Sequence, residues 1–468
     1  MSPPATGAAR RRWFGTDGVR GHAGQAPLLP GWLEALGRAL GEHAGAGGLV
    51  LIARDTRESG PEIVASVSGG LLEGGARVID LGLMPTAGLP IAMRARAAAA
   101  GIVVSASHNP WTDNGLKVFG VGGLKLSDER ESALEERIAA LLARAPEGRG
   151  PAAASLRDLD RLDGAAEYSA WLLARFSRLE LRGRRLLVDC ANGAATACAP
   201  SVLARLGGRV TALFDRPDGR NINAGCGSTH LDPLIAGMAK GEHDLGMAFD
   251  GDADRVLFVD RGGRVGNGDH LLGFLAPVLA RRGELPGGRV IATVMSNLGL
   301  ERALAAAHLS LVRTPVGDRH VLAAMEQHGA GLGGEASGHI LFREAGSAVS
   351  GIGPAIGDGL YTALRLLAAL EETGADLAAV IDAVPHAPQV LLNVPVASRP
   401  PVESLPRLQA RVSELGATHG ADLRLVLRYS GTENLARVMV EGLDRQLVQD
   451  VAAELAQVWA TEAEAVRP

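Results

Sequence analysis

The sequence predicts an α/β protein, with three similar mixed or parallel-sheet units followed by a smaller α+β unit. Three observations carry this. Strand-like and helix-like stretches alternate from about residue 48 to 375, the pattern restarts twice, and the last hundred residues follow a different rhythm. A length of 468 residues fits several domains, and 47% apolar residues supply their cores.

In the first unit, 49–53 reads as a strand, 62–72 as a helix, 77–81 as a strand, 88–99 as a helix and 102–105 as an apolar β run. Such alternation implies parallel strands covered by helices on both faces. The second set predicts strands over 185–189, 209–214 and 245–249, with helices over 195–206 and 233–240. The third predicts strands over 289–295 and 310–314, with helices over 300–307, 319–328 and 360–370. A Pro/Gly/Ala-rich linker over 144–151 separates the first two units. The expected domains are 1–150, 151–258, 259–375 and 376–468. The last holds mostly antiparallel strands over 390–396, 424–429 and 436–441, with helices near 402–415 and 445–459.

Composition excludes several classes. A net charge of −5 gives no global attraction to nucleic acid or acidic membranes, so any anion must be held by local clusters. Cys190, Cys198 and Cys226 form no C-x-x-C pair, which points to a reducing compartment. The first twelve residues lack the apolar core of a signal peptide, and no apolar run approaches the roughly 18 residues that span a bilayer. A soluble, cytoplasmic protein is expected. Only Lys117, Lys125 and Lys240 are lysine among 47 basic residues, so each invites a chemical question.

Five segments carry chemistry. Ser105-Ala106-Ser107-His108-Asn109-Pro110 follows an apolar strand, where ligands of open α/β sheets gather. Ser107 is a candidate nucleophile beside His108, with Lys117 downstream; an ordinary Ser/Asn turn is the bland alternative. Asp250-Gly251-Asp252-Ala253-Asp254-Arg255 places three carboxylates on alternate residues of a tight turn, a set suited to a hard divalent cation. It is no EF-hand, because Arg255 and Arg261 occupy the sixth and twelfth positions.

In Gly334-Glu335-Ala336-Ser337-Gly338-His339, alternation lets Glu335, Ser337 and His339 face one way, toward sugar hydroxyls and a proton to be moved. Arg428, Ser430, Gly431 and Thr432 form a candidate phosphate cradle that is not a P-loop. Arg20, in a Gly-flanked loop, either reaches a phosphate or pairs with Asp17.

Each segment is weak alone, but together FGTDGVRG, SASHNP, DGDADR, the GExSGH loop and RYSGTE resemble the α-D-phosphohexomutase superfamily from about residue 14 to 442. Within it, VDCANGA, NINAGCGST and RVMVEG are similar to the bacterial members that act on glucosamine phosphates. Two positions depart from them: Ala336 stands where glutamine is usual, and Asn434 where proline is common.

The resemblance implies four domains around a central cleft, each giving one loop. It implies a phosphorylated Ser107, with Mg²⁺ held by Ser107, Asp250, Asp252 and Asp254. Glu335 and Ser337 would bind the sugar, and Arg428, Ser430, Gly431 and Thr432 the far phosphate. Arg20, His108, Lys117, Arg255 and His339 would surround the transfer site. Lys117 or His339, its pKa lowered by neighbouring cations or burial, would be the base.

The implied reaction interconverts glucosamine 6-phosphate and glucosamine 1-phosphate through a glucosamine 1,6-bisphosphate, feeding UDP-N-acetylglucosamine and cell-wall synthesis. A monomer or homodimer is implied. The same chemistry on glucose or mannose phosphates is the nearest alternative. A serine phosphatase and a non-catalytic phosphosugar binder are more distant ones.

Overall fold

The structure is a computed structural model and describes residues 12–15, 17–144, 154–343, 356–396, 398–429 and 435–465. Most of the expected linker and residues 430–434 lie outside them. Four sheets follow one another along the chain. The first has seven strands, ordered Val19–His22, Asp113–Gly120, Ala100–Val104, Leu49–Arg54, Arg77–Leu83 and Asp160–Arg161, with Leu124–Lys125 paired to Asp113–Gly120. Its central strands are parallel, while Asp113–Gly120 runs antiparallel to both neighbours in that order.

The second sheet runs Val265–Gly266, Val256–Val259, Leu245–Phe249, Arg185–Asp189 and Arg209–Leu213. The third runs Ser310–Thr314, Arg289–Thr293, Leu332–Gly334 and Ile340–Phe342. The fourth is antiparallel, with Leu435–Gly442 between Gln389–Pro395 and Leu423–Tyr429. The α/β class with an α+β C-terminal unit is therefore as expected. Asp160–Arg161 joins the first sheet and Val265–Gly266 the second, so both sheets draw residues from beyond the expected divisions at 150 and 258.

Two local differences have physical reasons. The expected helix over 195–206 is a 3₁₀ turn, Ala194–Ala197, followed by a helix, Ala199–Arg205. Pro200 lacks the N–H that an unbroken helix would need there, but fits a new first turn. Asp113–Gly120 opens on Asp, Asn and Gly, which read locally as a turn; pairing on two sides makes it a strand.

The first three sheets share a buried core that runs from Leu51 and Phe119 through Val188 and Phe249 to Leu271 and Leu370. The C-terminal unit has its own, around Val438, Leu455 and Trp459. On its strand Leu423–Tyr429, Leu423, Leu425, Leu427 and Tyr429 belong to that core, leaving Arg424 and Arg428 on the opposite face. Arg424 docks this face on the third unit, donating to Val294 O at 2.7 Å and Ser296 O at 2.9 Å and pairing with buried Glu441. Among the described residues no helix is long and apolar enough to cross a membrane.

Candidate active site

Ser107 follows the strand Ala100–Val104 and takes φ 51°, a left-handed conformation that costs a non-glycine residue about 1 kcal/mol or more. Its N–H donates to Ser105 Oγ at 2.9 Å. Its hydroxyl donates to Asp250 Oδ2 at 2.6 Å, with His108 Nδ1 at 3.3 Å. The residue is fully buried.

Asp250, Asp252 and Asp254 follow the strand Leu245–Phe249, each offering a carboxylate oxygen within 4.8 Å of the others. All three are buried, and Asp252 Oδ1 has no hydrogen-bond partner. Burial, then Asp254 and Asp252, pushes the Asp250 carboxyl well above the usual range. Convergent buried oxygens in mutual repulsion, two of them (Asp252 Oδ1 and Asp254 Oδ1) without a hydrogen bond, fit a hard divalent cation.

This loop also touches the serine through backbone. A Cβ on Gly251 would lie 2.5 Å from Ser107 O and 2.8 Å from Asn223 Nδ2. Gly251→Ala must push the two loops apart. It is expected to cost about 1–3 kcal/mol of stability and to lower kcat, measured by thermal melts and steady-state rates. An unchanged melt with unchanged kcat would show that the contact gives way freely.

Lys117, only 4% exposed, donates to Asp252 Oδ2 at 2.7 Å and Asp254 Oδ2 at 2.8 Å, with Asp17 Oδ2 at 3.4 Å. Burial alone would depress its ammonium, but these three carboxylates outweigh it and hold the pKa well above the usual lysine range. His339 behaves alike: burial lowers it, Asp254 and Asp318 raise it, and the net shift is upward. The lowered pKa expected of a base is thus not found at either residue with the protein's own groups alone, because facing carboxylates decide the sign. His108 goes the other way. Burial, then Arg255 and Arg20, holds it down at about 4, so it is neutral at physiological pH.

A cavity of about 440 Å³ opens onto these groups. Of the residues singled out from sequence, Arg20, His108, Asp254, Arg255, Glu335 and His339 line it. Ser107, Lys117, Asp250 and Asp252 are buried behind the wall. Glu335 accepts from Gly317 N at 3.1 Å through Oε1. Ser337 is not on the wall. Residues Glu335 to Gly338 form a turn, closed by Gly338 N donating to Glu335 O at 3.0 Å, so the alternation of an extended chain does not apply.

Arg428 does not line this cavity either; it sits across from Arg437 on the polar face of the C-terminal sheet. Ser430, Gly431 and Thr432 lie outside the described residues.

Sequence reasoning missed Trp13, Val316, Gly317 and Asp318 on the wall, and the full part of Asp17. Asp17 pairs with Arg20 at 2.7 Å, as one reading had it, but also with Lys125 at 2.6 Å. Lys125 reaches on to Asp318 at 2.5 Å, tying the first unit to the third. The scarcity of lysine was the one available signal for this bridge.

The comparisons agree with this geometry. Residues 11–144, 166–263 and 267–387 match phosphoglucomutase/phosphomannomutase α/β/α domains I, II and III, and 391–458 match its C-terminal domain. Phosphoglucosamine mutase of Deinococcus radiodurans is 44% identical over 453 residues, covering 96% of this chain and 97% of that one. The Thermus thermophilus phosphoglucosamine mutase is 43% identical over 450 residues, with 96% and 97% covered.

Among solved structures, a phosphoglucomutase/phosphomannomutase family protein of Burkholderia thailandensis superposes with TM-score 0.76 at 26% identity, covering 97% of this chain and 98% of that one. N-acetylphosphoglucosamine mutase of Aspergillus fumigatus, solved with GlcNAc-6P and magnesium, shares the fold with TM-score 0.60 at 20% identity, covering 97% and 96%. Matched in all four domains and aligned to its relatives almost end to end, the chain belongs to the phosphoglucomutase/phosphomannomutase family.

Proposed function

We propose that the protein is a hexosamine-phosphate mutase that interconverts glucosamine 6-phosphate and glucosamine 1-phosphate, with Ser107 as the phosphoryl carrier. The observation that carries this is the Ser107 hydroxyl held 2.6 Å from Asp250, within a buried three-carboxylate cluster behind a cavity that also presents Glu335. The names of the bacterial relatives at 43–44% identity support the amino sugar.

In the first half-reaction the phosphoserine Oγ–P bond breaks and a bond forms to O1 of glucosamine 6-phosphate, giving glucosamine 1,6-bisphosphate. The sugar hydroxyl loses its proton and Ser107 Oγ gains one. The bisphosphate then turns end for end. Its 6-phosphoryl group returns to Ser107, O6 is left as a hydroxyl, and glucosamine 1-phosphate departs. Asp250, Asp252 and Asp254 would hold a divalent cation such as Mg²⁺, which would neutralise phosphoryl charge.

Arg20 and Arg255, on the cavity wall, hold phosphoryl oxygens. Lys117 and His339, kept charged, serve as cations and proton donors. His108, neutral and 3.3 Å from Ser107 Oγ, carries the serine proton in the return step. Little more is asked of a base, because a loose phosphoryl-transfer transition state gains mostly from positioning and charge. Glu335 orients the sugar hydroxyls. Arg428, with Ser430, Gly431 and Thr432, grips the phosphate of the non-reacting end. On this reading, each of the four sequence-defined domains would bring one of these loops to the cleft. Three buried free cysteines accord with a reducing cytoplasm.

A coupled assay with Mg²⁺ and a trace of bisphosphate tests the substrate. Glucosamine 6-phosphate is expected to exceed glucose 6-phosphate and mannose 6-phosphate at least about tenfold in kcat/KM, about 1.4 kcal/mol of transition-state preference. A lead for glucose or mannose phosphate would transfer the assignment to that sugar and make Ala336 the first residue to exchange.

A further inference from the structure

The loop that presents Ser107 is wrapped around one side chain. Arg57 lies in the turn Asp55-Thr56-Arg57 after the strand Leu49–Arg54, and both Arg57 and Asp55 are fully buried. A guanidinium has five N–H donors in a rigid fork, and all five are engaged here. Nε donates to Asp55 Oδ2 at 2.8 Å. Nη2 donates to Ser107 O at 2.8 Å and Asn109 O at 2.9 Å. Nη1 donates to Asp113 O at 2.9 Å and to Pro110 O. Four carbonyls between Ser107 and Asp113 thus converge on one planar group. Lysine, with three donors on a single atom, cannot span them.

The brace extends to the other side of the serine. Asp55 Oδ1 accepts from Arg57 N at 2.9 Å, and Oδ2 accepts from Ser105 Oγ at 2.6 Å. Ser105 Oγ in turn receives Ser107 N–H, so both peptide groups of Ser107 lead back to the Asp55–Arg57 pair. From the second unit, Asn223 Nδ2 donates to Ser107 O at 2.9 Å and Asn109 O at 3.1 Å. A left-handed serine persists only where its surroundings over-determine it, and here they do.

We infer that Arg57, braced by Asp55, is a positioning residue for phosphoryl transfer: it fixes the Ser107 backbone so that Oγ points into the three-aspartate cluster, without touching the sugar. This rests on Ser107 being the phosphoryl carrier. Loosening the brace should slow the chemical step and leave sugar binding intact, because near-attack geometry is lost while the cavity wall is kept.

The test uses full-length Arg57→Lys, Ser105→Ala and Ser107→Ala, each exposed to a ³²P-labelled hexose 1,6-bisphosphate. Rapid-quench transfer to sugar 6-phosphate, steady-state KM and thermal melts are then measured. Folded Arg57→Lys is expected to keep KM within about threefold while the transfer rate falls at least about thirtyfold. Ser105→Ala is expected to show a smaller loss of the same kind. A wild-type transfer rate in folded Arg57→Lys, or a raised KM at unchanged rate, overturns the inference.

If Arg57→Lys does not fold, Ser105→Ala decides: a normal rate overturns the inference, and a slow rate at unchanged KM upholds it. Ser107→Ala separates the two readings. Label retained by Ser107→Ala sinks the phosphoserine itself. Label lost there, with wild-type rates in the other two variants, sinks only the role of Arg57.

Discussion

Ser107→Ala is expected to lower kcat by about 10⁴-fold or more and to leave the protein without covalently bound phosphate. The loss should be one of chemistry and not of folding. Alanine keeps the same backbone, its N–H can still donate to Ser105 Oγ, and its carbonyl is still held by Arg57 and Asn223. Asp250 loses the hydroxyl but keeps the Arg255 N–H at 3.1 Å. Melting within a few degrees of wild type, with mutase turnover gone, is therefore the expected pair of results. Among the described residues no second hydroxyl touches the cluster in the same way: Thr86 Oγ1 bonds Asp252 at 2.5 Å but on its Oδ2, which Lys117 also holds. Appreciable mutase activity in purified Ser107→Ala would sink the phosphoserine scheme.

Removal of divalent cations should have the second largest effect. Chelation is expected to suppress turnover by about 10³-fold or more, and added Mg²⁺ to restore it. A second readout avoids activity altogether. Lys117 compensates Asp252 and Asp254 but bonds no oxygen of Asp250. A cation bound only by the folded cluster should raise the melting temperature, by about 2.7 kcal/mol of stabilisation at a hundredfold excess over Kd. Asp252→Asn removes one donor and one partner of Lys117, and should abolish that thermal response as well as the activity. Full turnover after exhaustive chelation, with a melt indifferent to Mg²⁺, would refute the metal site.

The parts legible in the sequence were those that local pattern decides. Apolar runs such as Leu245–Phe249, Arg185–Asp189 and Ser310–Thr314 are strands as read, and the polar Gly-containing segments beyond them are loops. What escaped depends on contacts between distant residues. Asp17, Lys125 and Asp318 meet across more than a hundred positions, and nothing near any of them announces it. Arg57, within ARDTRESG, carries no local sign that it is buried beneath the nucleophile loop. The sign of the Lys117 and His339 shifts escaped for the same reason, because the carboxylates that set it come from other segments.

The closed core of the C-terminal unit has a mechanical consequence. Since Val438, Leu455 and Trp459 pack within the unit itself, that core stays closed if the unit swings away from its neighbour. Among the described residues, what must part at the seam includes Arg424 on Val294 and Ser296, Asn297 on Glu441 at 3.2 Å, the Arg302–Asp422 pair and buried Met439. Arg428 lies two strand repeats beyond Arg424 on the same face, so on the proposed function such an opening would carry its phosphate contact away from the serine. A bisphosphate could then be released at one end and rotate before the seam re-forms, which is the freedom that an end-for-end exchange requires.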